Sequence, residues 1–360
     1  MKKILIVNIS AFIAIGILLL VFHAITHALP EQYTADRYGY RDKNVQSGAQ
    51  DQTAPYAHIS VFYNSDSQLS IDAARSLDMS IKNALSAASI NGNITDCYTM
   101  PEIPATAVTP TYLTANVSLI PVGGNFFLFH PYELLSGVYF SPDSVTTDGA
   151  IIDENAAWTL FGSSDVAGQL ITMNGKDYII SGVIRIPDNA YYEASNKPAA
   201  IAFVQYQNYA QEGGFTSFEV LLPNPVTGSA LDIVTTAVGV NPMSDSPSGI
   251  ILNENSARYN FLTRLKSIPE LTKTQIRTAD VVFPFYENAA LVSDSAATFV
   301  LIGIFAVLLI PICTIIYLLH KLHKNRKKVM KKILSKTASA IKEAKTNIEN
   351  NNNEKAGNTN

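Results

Sequence analysis

The side chains best suited to ligation or nucleophilic chemistry are few: six histidines and two cysteines in 360 residues. His23 and His27 stand four apart, on one helix face, a spacing that metal ligation uses, but no third ligand lies near them. They, like His320 and His323, flank long apolar runs and read as interfacial residues. His130, between Phe129 and Pro131, reads as a packed or hydrogen-bonded loop residue. Cys97 lies in the middle of the chain and Cys313 inside an apolar run, so they cannot pair, and Cys97 reads as a small buried apolar residue. Asp153-Glu154 offers an acid/base pair on paper. A helix cap accounts for it better, because a short apolar strand precedes it and Gly162 follows as a stop. Phe126, Phe127 and Phe129 read as core rather than as a binding groove. The chain has no G-x-x-x-x-G-K-[ST], H-E-x-x-H, G-x-S-x-G or C-x-x-C, and its acidic residues lack calcium-loop spacing. The expectation is therefore no enzyme: no catalytic residue, no cofactor and no metal ligand.

The elements that would position any site are dominated by two apolar runs. Ile4–Phe22 is interrupted only by Asn8 and Ser10. Ala296–Leu319 has no charge, and Thr298 and Thr314 are its polar side chains. About 20 helical residues cross a hydrocarbon core about 30 Å thick, so both runs are long enough to span. Pro311 predicts a kink in the second. Lys2 and Lys3 precede the first run. Lys321, Lys324, Arg326, Lys327, Lys328, Lys331, Lys332 and Lys336 follow the second, which predicts cytoplasmic termini and an extracytoplasmic segment 30–294. That segment holds 13 Lys and Arg against 27 Asp and Glu, whereas the tail from 321 holds 11 against 3. The eight basic residues predict contact with the anionic inner leaflet or with a partner, at about 1 kcal/mol per charge near lipid. Interleaved aromatics are missing from the basic stretch, which argues against nucleic acid. The N-terminal run also has the look of a secretory signal ending near Thr26-His27-Ala28, although its length favours an uncleaved anchor.

Between the runs, residues 23–55 read as a linker. Ala57–Tyr63 alternates like a half-buried strand, with His58 and Ser60 on the polar side. A helix follows from about Ser70 to Ser89, with Ala74, Leu77, Ile81, Leu85 and Ala88 as its stripe. A strand is expected around Tyr112–Ile120. Ala150–Ile152 and the capped helix through Leu160 come next, then a hairpin turning on Asn174-Gly175. Ala199–Gln205 and Ser217–Leu222 read as strands, Ser229–Val238 and Glu254–Lys266 as helices, and Val281–Phe283 as a last strand. The tail 320–348 reads as a basic amphipathic helix, and 349–360 as disordered. The fold class is α+β.

The stretch from Phe129 to Ile186 resembles the MacB-like periplasmic core domain of ABC transporter permeases of the MacB and FtsX kind. Its pattern is carried by Leu134, Gly137 and Phe140, then Asp153 and Glu154, and then Leu160, Phe161 and Gly162. It continues through Asp165, Val166, Gly168 and Gln169 to Gly182 and Val183. The resemblance implies a two-lobed outer domain over 56–294, with an inserted lobe at about 123–195, that moves as a cytoplasmic ATPase works. Such permeases usually have four spans, whereas two are visible here. The expected function is a non-enzymatic membrane subunit of an ABC-type export or mechanotransmission complex, partnered by separate ATPase and permease chains, with homo-oligomerisation left open. The alternative is a standalone anchored binding or scaffold module.

Overall fold

The computed structural model describes residues 2–29, 34–38, 55–141, 144, 146–240, 249–268, 281 and 283–357, without the side chains of 2, 327–333, 336 and 340–357. It divides into two compact units, Phe22–Leu301 and the pair Met1–Val21 with Ile302–Asn360.

In the first unit, β1 (Tyr56–Tyr63) forms where the alternation places it, but it is buried on both faces, His58 and Ser60 included. The half-buried expectation fails because alternation reports polarity, not exposure, and the polar side is covered as fully as the apolar one. β1 pairs antiparallel with β10 (Ser217–Pro223) and with β11 (Ile250–Glu254). β10 in turn pairs with β2 (Thr95–Thr99). On one side, Ile59, Val61, Phe218 and Val220 pack beneath α3 (Ile71–Ala87) and α7 (Ser229–Val238). Helix α3 is capped by Ser70 and buries Ala74, Leu77, Ile81 and Leu85 of the expected stripe, whereas Ala88 falls at its C-cap and is exposed. A fully buried Leu or Ile contributes about 1.5–3 kcal/mol, so this face is a major source of stability.

A second lobe grows from β4 (Thr114–Gly124). Its last residues pair with β2 and its earlier ones with β3 (Ile103–Val108), while its other edge pairs in parallel with β9 (Ile201–Gln205). The strands β6 (Gly149–Asp153), β7 (Leu170–Met173) and β8 (Lys176–Arg185) complete a closed ring in the order β4-β3-β7-β8-β6-β9. The ring takes β3 and β4 from before residue 123 and β9 from after residue 195. β7 covers only the first half of one β8 edge, and β5 (Glu133–Gly137) pairs antiparallel with its second half, Gly182–Arg185. Ile152, Leu119, Met173, Tyr178 and Ile180 fill the interior, sealed by α5 (Glu154–Phe161). Asn174 and Gly175 both adopt positive φ, as the two-residue turn demands.

Several expectations are corrected. The strand expected around Tyr112 begins at Thr114, because Tyr112 takes a left-handed turn conformation. Strands β2, β3 and β5 carry no strong alternation and emerge only from their partners. Glu254 ends a strand instead of starting a helix: 250–254 fills the open edge of β1, and the helix α8 starts after Asn260, spanning Phe261–Ser267. Val281 and Phe283 are buried but lie outside any strand, Phe283 packing on Phe62 with ring centroids 4.9 Å apart. They are held by side-chain contact, not by backbone pairing. Within the expected linker, residues 34–38 form a short helix (α2) whose Thr34 hydroxyl donates to the Phe129 carbonyl at 3.1 Å.

The apolar runs lie in α1 (Lys2–Thr26) and α9 (Phe285–Gly357), both long and apolar enough to cross a membrane. In the second unit Asn8 donates to Thr314 at 3.3 Å, so one polar side chain of each run meets the other. Helix α9 starts before the uncharged run and continues through Pro311 to Gly357, so the tail is no separate helix, and 349–357 is helical where disorder was expected. Extending an existing helix needs no new nucleus, which is why a weak Asn-rich sequence continues it.

Candidate functional site

Glu219 is the one carboxylate in β10, a strand buried along its whole length. The register places Ser60 of β1 directly opposite it on one side and Cys97 of β2 on the other. Directly opposed residues share a face, so three adjacent strands aim a hydroxyl, a carboxylate and a thiol at one spot. His58, two residues from Ser60, joins them. Glu219 Oε2 accepts from His58 Nε2 at 2.7 Å and from the Ser60 hydroxyl at 3.0 Å. Its Oε1 accepts from His130 Nε2 at 2.8 Å. Asn255, just past β11, donates to Ser60 Oγ at 2.7 Å.

His130 comes from the turn that leaves β4. Gly124 lies opposite Cys97 at φ +64°, and a Cβ there would sit 2.5 Å from the Asp96 carbonyl oxygen. Only glycine lets the chain cross this close, with the Asn125 N–H donating to that same carbonyl at 2.9 Å. The short helix α4 (Phe126–Phe129) then buries Phe126 and Phe129 and ends on His130. Its ring lies 4.0 Å, centroid to centroid, from that of Tyr286 in the first turn of α9.

Helix α9 closes the site and carries a second buried network. The Tyr286 hydroxyl lies 3.1 Å from Thr99 Oγ1 and 3.3 Å from Ser217 Oγ. Glu287 accepts from Arg258 and, at 2.8 Å, from Asn253. Asp294 lies 3.5 Å from Arg258 Nε and 3.3 Å from Arg264 Nη1. Tyr259 bonds Ser293, and Ser267 meets Thr298 at 3.4 Å. Five polar residues of α9 between Tyr286 and Thr298 are thus latched to the sheet and to the 255–267 segment.

Burial works against the Glu219 carboxylate, yet His130 and His58 outweigh it and hold the carboxyl well below the usual range. Burial pushes the Cys97 thiol up, and Glu219 adds to the effect. Burial likewise opposes the Arg258 charge, but Glu287 and Asp294 overcome it. Buried charges of this kind confer little net stability, because desolvation offsets their attraction, but removing one partner alone is costly. Between the two networks lies a cavity of about 30 Å³ bordered by His58, His130, Glu219, Asn255, Arg258 and Tyr286.

Of the residues singled out in the sequence, His130 is hydrogen-bonded as expected, and Asp153 is a cap, accepting from the N–H groups of Ala156 and Ile201, both at 3.0 Å. Glu154 instead pairs with Arg185 at 2.8 Å. Phe126 and Phe129 are core. The rings of His23 and His27 lie 3.8 Å apart, tilted at 42°, and no third ligand joins them among the described residues. Lys321, Lys324 and Arg326 are exposed on α9. The side chains of Lys327, Lys328, Lys331, Lys332 and Lys336 lie outside the described residues. His58, Glu219, Arg258, Tyr286 and Glu287 were not foreseen. The readable signal was Glu219 within Ser-Phe-Glu-Val-Leu-Leu, a lone carboxylate in an apolar strand that must find partners if buried.

The family model described as the MacB-like periplasmic core domain matches residues 4–247. The chain belongs to this family. MacB-like core domains are parts of ABC-type transporter permeases, consistent with a membrane subunit of an ABC-type system. The chain from β11 onward, which supplies Arg258 between β11 and α8 and Glu287 and Asp294 on α9, lies beyond the matched residues. Solved structures similar to the MacB-like chain include the extracellular domain of the noncanonic ABC-type transporter YknZ from Gram-positive bacteria. It is 13% identical, with 54% of this chain and 99% of that one covered, at a TM-score of 0.36. The periplasmic region of MacB from Actinobacillus actinomycetemcomitans is 14% identical, with 59% and 92% covered, at a TM-score of 0.40. A domain of a putative permease protein from Porphyromonas gingivalis is 13% identical, with 55% and 88% covered, at 0.34. No curated protein matches the chain.

Proposed function

We propose that this chain is a non-enzymatic membrane subunit of an ABC-type export or mechanotransmission complex, working with separate ATPase and permease chains. The observation that carries the reading is the latch on α9. The helix that continues into the uncharged run begins on the outer domain, where Tyr286, Glu287, Ser293, Asp294 and Thr298 are themselves buried and each has a polar partner. Apolar packing alone lets a helix slide or rotate at small cost. A set of directional, desolvated bonds selects one position, because any shift leaves buried charges unpaired. A helix held in this way transmits displacement to the sheet instead of slipping past it.

In this reading both termini are cytoplasmic and residues 30–294 lie outside. The stretch 123–195 belongs to the second lobe of the outer domain. The basic residues Lys321, Lys324, Arg326, Lys327, Lys328, Lys331, Lys332 and Lys336 face the anionic inner leaflet or the ATPase partner. The test is purification of the full-length protein from native membranes in mild detergent, with mass spectrometry of what co-purifies. An ABC ATPase or multi-span permease, lost on deletion of 321–348, is the expected result. Recovery of the chain alone, under conditions that keep a known ABC complex intact, overturns it in favour of an anchored scaffold.

A further inference from the structure

Cys97, His130 and Glu219 are all buried, and their ligating atoms (Sγ, an imidazole nitrogen and a carboxylate oxygen) lie within 4.8 Å of one another. We propose that these three side chains bind a divalent transition-metal ion of zinc type, with a water as fourth ligand. None of the three is one of the latching residues of α9, and the proposal does not depend on the transport reading.

Four observations converge on it. First, the backbone prepares the cluster: Cys97 and Glu219 are a direct cross-strand pair, and the Gly124 crossing brings the chain that carries His130 over Cys97. Second, the donor set is one thiol, one imidazole and one carboxylate. That mixture suits zinc and its neighbours, whereas calcium and magnesium take oxygen ligands. Tetrahedral zinc bonds of about 2.0–2.3 Å place ligand atoms about 3.5 Å apart, so a pair as close as His130 Nε2 and Glu219 Oε1, at 2.8 Å, opens slightly and the wider ones, within 4.8 Å, close by about an ångström. Third, His130 and Glu219 border the cavity of about 30 Å³, which has room for one water. Three protein ligands with one open position is a common zinc arrangement. Fourth, His58 donates to the other Glu219 oxygen at 2.7 Å, and Ser60 supports it at 3.0 Å. Such outer hydrogen bonds orient a ligating carboxylate and hold it charged.

Charge balances as well. With a proton between His130 and Glu219 and the thiol protonated, the cluster is neutral. Binding a dication releases both protons, one from the Cys97 thiol and one from the His130–Glu219 bond. The product holds the dication, a thiolate, a carboxylate and a neutral imidazole, and is neutral again. No net charge is added to the interior.

The full-length protein, purified in detergent without a polyhistidine tag and dialysed against metal-free buffer, is assayed for metal by plasma mass spectrometry. About one zinc per chain is expected. In parallel, the chelator-treated protein is titrated with cobalt(II), for which a near-ultraviolet thiolate-to-cobalt absorption is expected. Cys97→Ser should abolish that absorption, and His58→Gln should weaken cobalt binding by about 10–100-fold through the carboxylate it orients. His23→Ala with His27→Ala should leave it unchanged. Absence of both zinc and cobalt absorption in folded wild-type protein overturns the proposal. So does metal retained at full stoichiometry in Cys97→Ser with loss in the His23/His27 variant. The wild-type cobalt titration decides the matter even if a substituted chain fails to fold.

Discussion

The two faces of the β1–β10 pair are built from the same strands and are about equally dry, yet they are held by different physics. Beneath α3 and α7, the residues Ile59, Val61, Phe218 and Val220 make an apolar layer whose attraction has no direction. One residue along each strand, on the opposite face, His58, Ser60, Ser217 and Glu219 are buried under α4 and the start of α9. The apolar face supplies stability and tolerates any filling of about the right shape. The polar face adds little net stability, because its groups were well solvated before folding, but it accepts one arrangement only. The face that carries the helix toward the apolar run is thus the one that penalises displacement. We read this as selection for position over stability.

The sharpest way to break that contrast is Glu219→Ala. It strips two buried histidines and a serine of their shared acceptor, and a loss of about 3–5 kcal/mol is expected in denaturant unfolding of the full-length protein. A loss below about 1 kcal/mol would mean that the polar face is wet or adaptable. On the opposite face, Ile81→Ala should cost about 2–5 kcal/mol and Ile59→Val only about 0.5–1.5 kcal/mol. The contrast is sharpened by near-isosteric changes. Glu219→Gln should cost more than Ile59→Val, since an amide cannot accept from both histidines with the same charge. Next in size is Tyr286→Phe, which removes the hydroxyl shared with Thr99 and Ser217, with an expected loss of about 0.5–1.5 kcal/mol.

The smallest effect is expected at the surface of the second lobe. Arg185 bonds Glu154 at 2.8 Å and Glu133 at 2.9 Å. The Arg185 hydrogen bonds hold the Glu154 carboxyl below its ordinary range. A lowered folded value means that the stabilisation is present above about pH 4.3 and is lost as pH falls through the folded value. Wild type should therefore lose slightly more stability than Glu154→Gln on going from pH 6 to pH 3.5, and added salt should shrink the difference. An equal pH response in the two proteins removes any role for the pair.

Much of the architecture was legible along the chain because it rests on local rules. Two uncharged runs were enough to mark two helices long and apolar enough to cross a membrane. Ser70, Asp153 and Gly162 marked helix ends because orphan backbone groups need those side chains or that conformation. Asn174-Gly175 marked its hairpin because both residues tolerate positive φ. The spacing from Leu134 to Val183 pointed to the family for the same reason, since caps, turns and stops keep their distances. Strands β2, β3, β5 and β11 were not legible. They carry no strong period of their own, and what orders them is an open edge waiting on another strand.

The candidate site lay beyond the sequence for a related reason. Composition and period determined that Glu219 sat in a strand and His58 on its polar side, but polarity does not say whether that side meets water. Only the tertiary structure decided it, by laying α4 and α9 over the face and closing off solvent. Residues 58, 97, 130, 219 and 286 then came within reach of one another across distant stretches of chain. Burial and convergence are properties of the assembled sheet and helices, and no single segment contains them.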